Sequence, residues 1–533
     1  MRITNLIVLA TLSQTAACVW DWEDDRSIKW DRERAILGPV AMKTNVAYID
    51  SGLDRVTLLD LAEDTTRITT KSIGRRAIHA VPSNDRHKLF VITRGEEAIH
   101  HGEIDQDPKF WVIDTEARDA SPVAYEIGSP FDRVAVAPDN SIAIAYFSAA
   151  GPDAAGFFRN PNELAVIDLT EPPSESNPTL KTIRSFGSVP EGITLSPPMT
   201  VPGTGAARTF AFILSSNNLT VLDATNPDRR EISIRLDLGG PPVVPKEVVF
   251  APSSASAYVR SDNARDVLQV ILEQAEQAAP GANDYRPVLA ELGAGGGPTD
   301  IAVYDDATGK RFVLAATPNT KEIVLIDADT AQFRSVPIAD PIDRILLFPA
   351  DVDGTGVPKK ALFASIAAKQ KRVHVLDLEH ITDPLSQVGL RPIALDQAVR
   401  DVVPVPGRDL AMLVHDDNRT VLGLLDMDTE STSPMLGLGK LDSYDFSPDG
   451  THLIGATPSI SRVGFVALDN LHPTDFRLDD PPSRVLSTQN GKIFVDHGDP
   501  LGHATIIPST EAARGDATVL AGFLTINLLD SEP

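Results

Sequence analysis

One cysteine, Cys18, stands in 533 residues, so no disulfide can staple the chain to itself. Aromatic residues are scarce at 6%, and only four are tryptophan. Positive charge is short as well: 48 Lys and Arg face 74 Asp and Glu, for a formal net charge of −26. Nucleic acid is thereby excluded as a partner, because phosphate binding wants clustered Lys and Arg. The acidity itself is read as a device for solubility. No apolar run is long enough to span a bilayer; the longest candidate, Ile3 to Leu12, falls short of the roughly 20 residues required. Long stretches with a 3.6-residue apolar period are missing too, which excludes a helical solenoid. Only Gln274 to Ala279 could form a helical turn, in a loop insertion between strands. Nucleophile elbow, phosphate-binding glycine loop and zinc-protease helix are all wanting.

What the chain has instead is repetition. A short apolar strand ending in aspartate recurs about every 40–55 residues, a period typical of propellers and solenoids. Its copies end at Asp60, Asp114, Asp168, Asp223, Asp327, Asp377, Asp426 and Asp469, and two degenerate copies, Gln269–Leu272 and Ala504–Ile507, fill the gaps. Around each copy lie three further short strands. In the third repeat they read Arg133–Val136, Ile142–Tyr146, Leu164–Asp168 and Leu180–Phe186, with the turn Ala137-Pro138-Asp139-Asn140 between the first two. Alternating β-branched residues between such turns are the signature of packed strands. Comparable turns are Pro82-Ser83-Asn84-Asp85, Pro406-Gly407-Arg408-Asp409 and Pro448-Asp449-Gly450. Repeats close on glycine at Gly74, Gly128, Gly187, Gly239, Gly293 and Gly439. Four-stranded sheets repeated radially make a β-propeller, which protects its sheet edges by closing into a ring. The chain is therefore expected to be all-β, a propeller of about ten four-stranded blades in one ring. Fewer blades, or two rings of five, remain open alternatives. The closing segment, Ala517 to Leu529, is long enough for two strands, one completing the last blade and the other joining the first.

Gly187-Ser188-Val189-Pro190, Ser447-Pro448-Asp449-Gly450 and Val466-Ala467-Leu468-Asp469 resemble the opening, turn and third strand of YVTN-repeat, or lactonase-like, propellers. The likeness covers most of residues 40–530. It implies the propeller fold; it carries over no catalytic residue, and the Tyr-Val-Thr-Asn tetrad itself is missing.

The N-terminus reads as a targeting segment. Met1-Arg2, the apolar run and the small residues Thr15-Ala16-Ala17 precede the single cysteine. A lone thiol at a mature N-terminus has no disulfide partner in its chain, and lipid attachment at Cys18 explains it. The segment resembles a bacterial lipoprotein signal, with Thr15 where that motif usually has leucine. The resemblance implies a signal peptide over 1–17, a tether over 18–35 and a propeller over 36–533, held at the bacterial outer membrane or cell surface by lipid alone. Cleavage after Ala17 without lipidation is the alternative. Trp20, Trp22 and Trp30 fall in the tether among Asp21, Glu23, Asp24 and Asp25; docking of these rings on the folded domain is favoured over membrane insertion.

Candidate sites are few. Asp351-Val352-Asp353-Gly354 resembles the start of a calcium loop, so Asp351 and Asp353 are the candidate metal ligands, and calcium is the one cofactor considered. Against it, Val201-Pro202-Gly203-Thr204-Gly205 occupies the same hairpin of another repeat without acids, which argues for a turn. His100-His101 and the pair His497 and His503 read as surface loops. Aligning the repeats gives a sharper pattern. A charged position precedes or opens each innermost strand: Arg76, Asp132 and Arg133, Glu191, Glu247, Asp300, Asp343 and Arg344, Arg400 and Asp401, Asp442, and Arg484. In a propeller these ring one mouth of the central channel, either as inter-blade ion pairs and backbone hydrogen bonds or as a polar ligand site. Insertions at 94–109 and 147–162 are expected to rise on the same face. The strand-ending aspartates are expected to cap turns. The favoured function is a non-enzymatic binding scaffold at the cell envelope, taking an envelope protein or a small ligand; the alternative is a lactonase-like hydrolase with its site at the channel mouth.

Overall fold

The computed structural model describes residues 35–96, 106–148, 160–183, 189–238, 240–252, 254–276, 282–349, 357–379, 381 and 389–526. They form ten four-stranded antiparallel sheets, each built from consecutive strands, with one extra two-stranded hairpin, Met199–Thr200 with Ala207–Arg208, inserted in the fourth. First strands of neighbouring sheets pack beside one another, as Asp300–Asp305 does with Arg344–Phe348, so first strands line the channel and fourth strands face outward. The degenerate copies of the repeat are true third strands, within Val267–Gln274 and His503–Ile507. Gln274 ends the first of these rather than starting a helical turn.

Why these residues form these strands is legible in their burial. Second and third strands are the most buried, and some, such as Phe210–Ser215 and Asn218–Asp223, are buried along their whole length. Each is covered on both faces by adjacent blades, so it reads as a continuous apolar run rather than an alternating one. Fourth strands, such as Ser431–Met435, face solvent and carry polar residues.

The hydrophobic core is divided into ten clusters, and each lies between two consecutive blades. Blades five and six share one of them, through Tyr258 and Val313, which rules out two separate rings. Blades ten and one share another, where Phe494 and Ile506 meet Tyr48 and Leu59. The ring is thus single and closed. Closure is sealed by polar contacts: Tyr48 donates to Asp496 at 2.9 Å, and Asn490 donates to the Leu61 carbonyl at 2.8 Å.

Closure does not use an exchanged strand. Thr518–Ala521 completes blade ten, as expected, but the next residues form a 3-10 turn, Phe523–Thr525, and blade one builds all four strands from its own sequence. Phe523 and Leu524 are buried in the seam between the two blades. Arg55 clamps this plug by donating to the carbonyls of Leu524 and Ile526 at 2.5 and 2.7 Å.

Lysines tie the rim together in the same spirit. Lys71, on the fourth strand of blade one, donates to the carbonyls of Asp114, Ala117 and Ala120 in blade two. Lys181 reaches from blade three to the Pro227 and Arg229 carbonyls of blade four. Each donates to several carbonyls of a tight turn in the next blade.

The recurring aspartates behave as expected in seven of eight copies, with a carboxylate oxygen accepting from backbone amides two or three residues on. Asp426, for example, accepts from the amides of Asp428 and Thr429 at 2.9 Å each. Asp469 departs, lying beyond the strand Arg462–Ala467 and pairing instead with Arg408. Among the described residues no helix is long and apolar enough to cross a membrane.

Candidate functional site: the channel mouth

Every first strand runs in the same sense, so residues at their starts share one mouth of the channel. Loops between second and third strands end on that same face. The structure joins the two sets directly. Arg76 donates to Glu96 at 2.8 Å, Arg75 pairs with the same carboxylate at 3.3 Å, and Glu96 bridges Gln106 across the base of the blade-two insertion. Both insertions, at 94–109 and 147–162, connect second to third strands, as the sequence predicted for a shared face.

The charged positions divide by what they hold. Asp132, Asp300 and Asp343 hold backbone. Asp132 is buried and accepts from the Ser148 amide at 2.9 Å, fixing the root of the blade-three insertion. Asp343 accepts from the amides of Ile366 and Ala367, both at 2.7 Å, and does the same for blade seven. Asp300 accepts from its own neighbour Ile301 at 3.2 Å and from Ile345 of the next blade at 2.6 Å, so it staples two innermost strands.

Others hold counter-charges. Glu191 meets Lys246 of the next blade at 3.5 Å, Glu247 meets Arg260 at 3.2 Å, Arg400 lies 3.8 Å from Asp417, and Asp442 lies 3.2 Å from Lys440. Arg133 donates to the Asp132 carbonyl at 2.8 Å, and Asp401 accepts from the Val402 amide at 2.9 Å. Arg344 and Arg484 make no side-chain hydrogen bond or ion pair among the described residues, though Arg344 stands in the field of Asp300 and Arg484 in that of Asp445.

Two residues missed by the alignment of repeats complete this wall. Asp445 lies within the first strand of blade nine and accepts from Phe446 at 2.9 Å and from Ser487 of blade ten at 2.8 Å, repeating the Asp300 staple three blades further round. Ser443 adds a bond from the Val485 amide at 3.2 Å. The signal was a carboxylate in the strand's alternation, Ser443-Tyr444-Asp445-Phe446, rather than ahead of it.

Burial dominates the electrostatics of these groups. It pushes the Asp300 carboxyl up to about 6, helped by the charge of Glu247 and opposed by the amide bonds. Asp445 is pushed in the same direction for the same chief reason. His79, on the first strand of blade two, is held below the ordinary histidine range by burial and then by Arg133.

Blades nine, ten, one and two, with Arg419 from blade eight, wall a cavity of about 680 Å³ in the channel. Its lining includes Val40, Ala80, Tyr444, Asp445 and Val485 of the first strands, with Arg86, Arg419 and Arg484 around them. Volumes of a few hundred to a thousand Å³ suit small molecules.

His497 and His503 stack at 4.4 Å between ring centroids, with His497 bonded to the Pro481 carbonyl and the Thr505 hydroxyl. Asp351, Asp353, Cys18, His100 and His101 lie outside the described residues.

No family model matches the chain, and no curated protein matches it. Among solved structures, it is similar to one described as "Dihydro-heme d1 dehydrogenase NirN in complex with DHE", at 12% identity over 82% of this chain and 74% of that one, with a TM-score of 0.38. It is also similar to one described as "Structure of Dos1 propeller", at 16% identity over 68% of this chain and 88% of that one, with a TM-score of 0.39. Likenesses this distant carry nothing beyond themselves; the propeller rests on the ten sheets and their ten shared cores.

Proposed function

We propose that this chain is an exported, lipid-anchored propeller that acts as a non-enzymatic binding scaffold at the cell envelope. It receives a small ligand or an envelope protein at the mouth where innermost strands begin. One observation carries the reading: Asp132, Asp300 and Asp343 spend their oxygens on backbone amides that root the loops and staple the blades. Carboxylates so committed act as structural parts, and a rigid mouth that presents loops is the arrangement recognition uses. The motifs that resemble YVTN-repeat propellers are likewise spent on turns and strand ends, as with Asp449, which accepts from Ser447 and Thr451. The anchor rests on Cys18 and the segment before it.

Native purification followed by intact-mass spectrometry tests the reading. The expected result is a chain beginning at Cys18 with acyl chains attached, together with a stoichiometric ligand or protein. A mature chain with Cys18 as a free thiol sinks the anchor. Turnover of small esters that is lost on changing mouth residues would replace the scaffold with the hydrolase reading.

A further inference from the structure

The cavity between blades eight, nine, ten, one and two carries a charge opposite to that of the chain. Arg86, Arg419 and Arg484 line it, each delivered by a different blade. Arg484 opens the first strand of blade ten, Arg86 follows the end of the first strand of blade two, and Arg419 comes from the loop after the second strand of blade eight. Because all first strands run in one sense, Arg484 and Arg86 mark opposite ends of the cavity. Among the described residues none of the three guanidiniums makes a hydrogen bond or an ion pair. In a chain of net charge −26, with acids at every blade, three such arginines on one concave wall require an explanation.

Asp445 stands in the field of Arg86 and Arg484, but among the described residues no acid forms a direct pair with any of the three. Both oxygens of Asp445 are taken by the amides of Phe446 and Ser487, and Asp442 lies 3.2 Å from Lys440. Burial raises the Asp445 carboxyl, opposed by those amide bonds and by the charges of Arg86 and Arg484. Two of the arginines are held in backbone conformations that L-residues seldom adopt, at φ +58° for Arg86 and +54° for Arg419. In the equivalent turns the position of Arg86 is filled by Asn140 and Gly450, residues suited to that backbone. Arg419 is further steadied over the Tyr444 ring, 5.1 Å from its centroid. Long cations so placed, with planar forks left unfilled, match carboxylate or phosphate oxygens. On the opposite side of the channel Glu247 and Asp300 stand beside Arg344.

We infer that the cavity formed by blades eight, nine, ten, one and two is a binding site for a small polyvalent oxyanion, a polycarboxylate or phosphate compound, held by Arg419 and Arg484 at the mouth end with Arg86 at the far end. The inference rests on the scaffold reading and names the ligand's chemistry. The cavity volume of about 680 Å³ suits a small molecule.

Titration calorimetry on the full chain at low salt tests it, with citrate and inorganic pyrophosphate as probes. The variant is R86Q/R419Q/R484Q; the charge-matched comparison is R286Q/R391Q/R477Q, whose arginines lie on exposed outer strands of blades five, seven and nine. Wild type and comparison should bind at least one probe with the same affinity, and the cavity variant should bind at least about tenfold more weakly. Heat with citrate alone assigns carboxylate, with pyrophosphate alone phosphate, and with both the shared chemistry. Equal binding by both triple variants overturns the site, as does no heat with either probe or binding only of a long anionic polymer. A natural ligand that co-purifies equally well with the cavity variant overturns the anion site and leaves the scaffold standing. Ester turnover by the cavity variant would do the reverse.

Discussion

Shaving Phe523 to alanine should loosen the ring at one seam and nowhere else. Its ring is fully buried between blades ten and one, 5.4 Å from the ring of Tyr48. Removing a buried phenylalanine side chain costs about 3–5 kcal/mol, from lost transfer energy and the cavity left behind. If the whole ring unfolds as one unit of about 490 residues, its unfolding entropy of about 2.1 cal/mol/K per residue makes 1 kcal/mol worth about 1 °C. F523A should then lower the calorimetric midpoint by about 3–5 °C. Deleting residues 523–533 should do more, since Leu524 goes too and Arg55, only 4% exposed, loses the Leu524 and Ile526 carbonyls. Leaving a buried guanidinium short of acceptors costs about 1–3 kcal/mol beyond the lost packing. Amide exchange gives the spatial readout. Strands Asn45–Asp50 and Ile493–Asp496, which face the plug, should exchange faster, while strands of blades five and six keep wild-type protection. A midpoint within about 1 °C of wild type, with unchanged exchange in blades one and ten, would refute the plug as the closing device.

Replacing Lys71 by methionine should destabilise by about 1–3 kcal/mol, because three carbonyls of blade two lose their donor; thermal unfolding reads it. D426A should cost about 0.5–1.5 kcal/mol through its two lost amide bonds, whereas D469A, which gives up only a surface pair with Arg408, should stay within about 0.5 kcal/mol in chemical denaturation. Asp300, raised to about 6 in the folded state, binds its proton more tightly there than when unfolded; its contribution is full below the unfolded value of 3.8 and is lost as pH rises through 6. The stability of wild type relative to D300N should therefore fall by about 3 kcal/mol between about pH 4 and pH 7, and a difference flat in pH would show that Asp300 titrates normally.

Blade count and blade anatomy were legible because a four-stranded blade repeats one chemical sentence, and even degenerate copies such as Gln269–Leu272 keep its period. The ring's closure was only half legible. A strand and a plug both ask for apolar residues near the end of the chain, and what separates them is Gly522, whose left-handed φ of +71° turns the chain out of the sheet. The mouth divided along a similar line. Ahead of an innermost strand a charge is conspicuous against apolar neighbours, so Asp132, Asp300 and Asp343 stood out when the repeats were stacked. Within the strand, Asp445 occupies a position whose side chain faces the channel, and alternation makes a polar residue there unremarkable. The cavity arginines were hardest to see because they do not share a repeat position: one opens a strand, one ends a turn, one sits in a loop. Stacking repeats finds what every blade needs in order to be a blade. A ligand site on a ring must instead break the ring's symmetry, and it is assembled from positions at which neighbouring blades differ, as Arg86 differs from Asn140 and Gly450. The same alignment that exposes the scaffold therefore averages the site away, and only the closed ring, which brings blade two beside blade nine, puts its parts together.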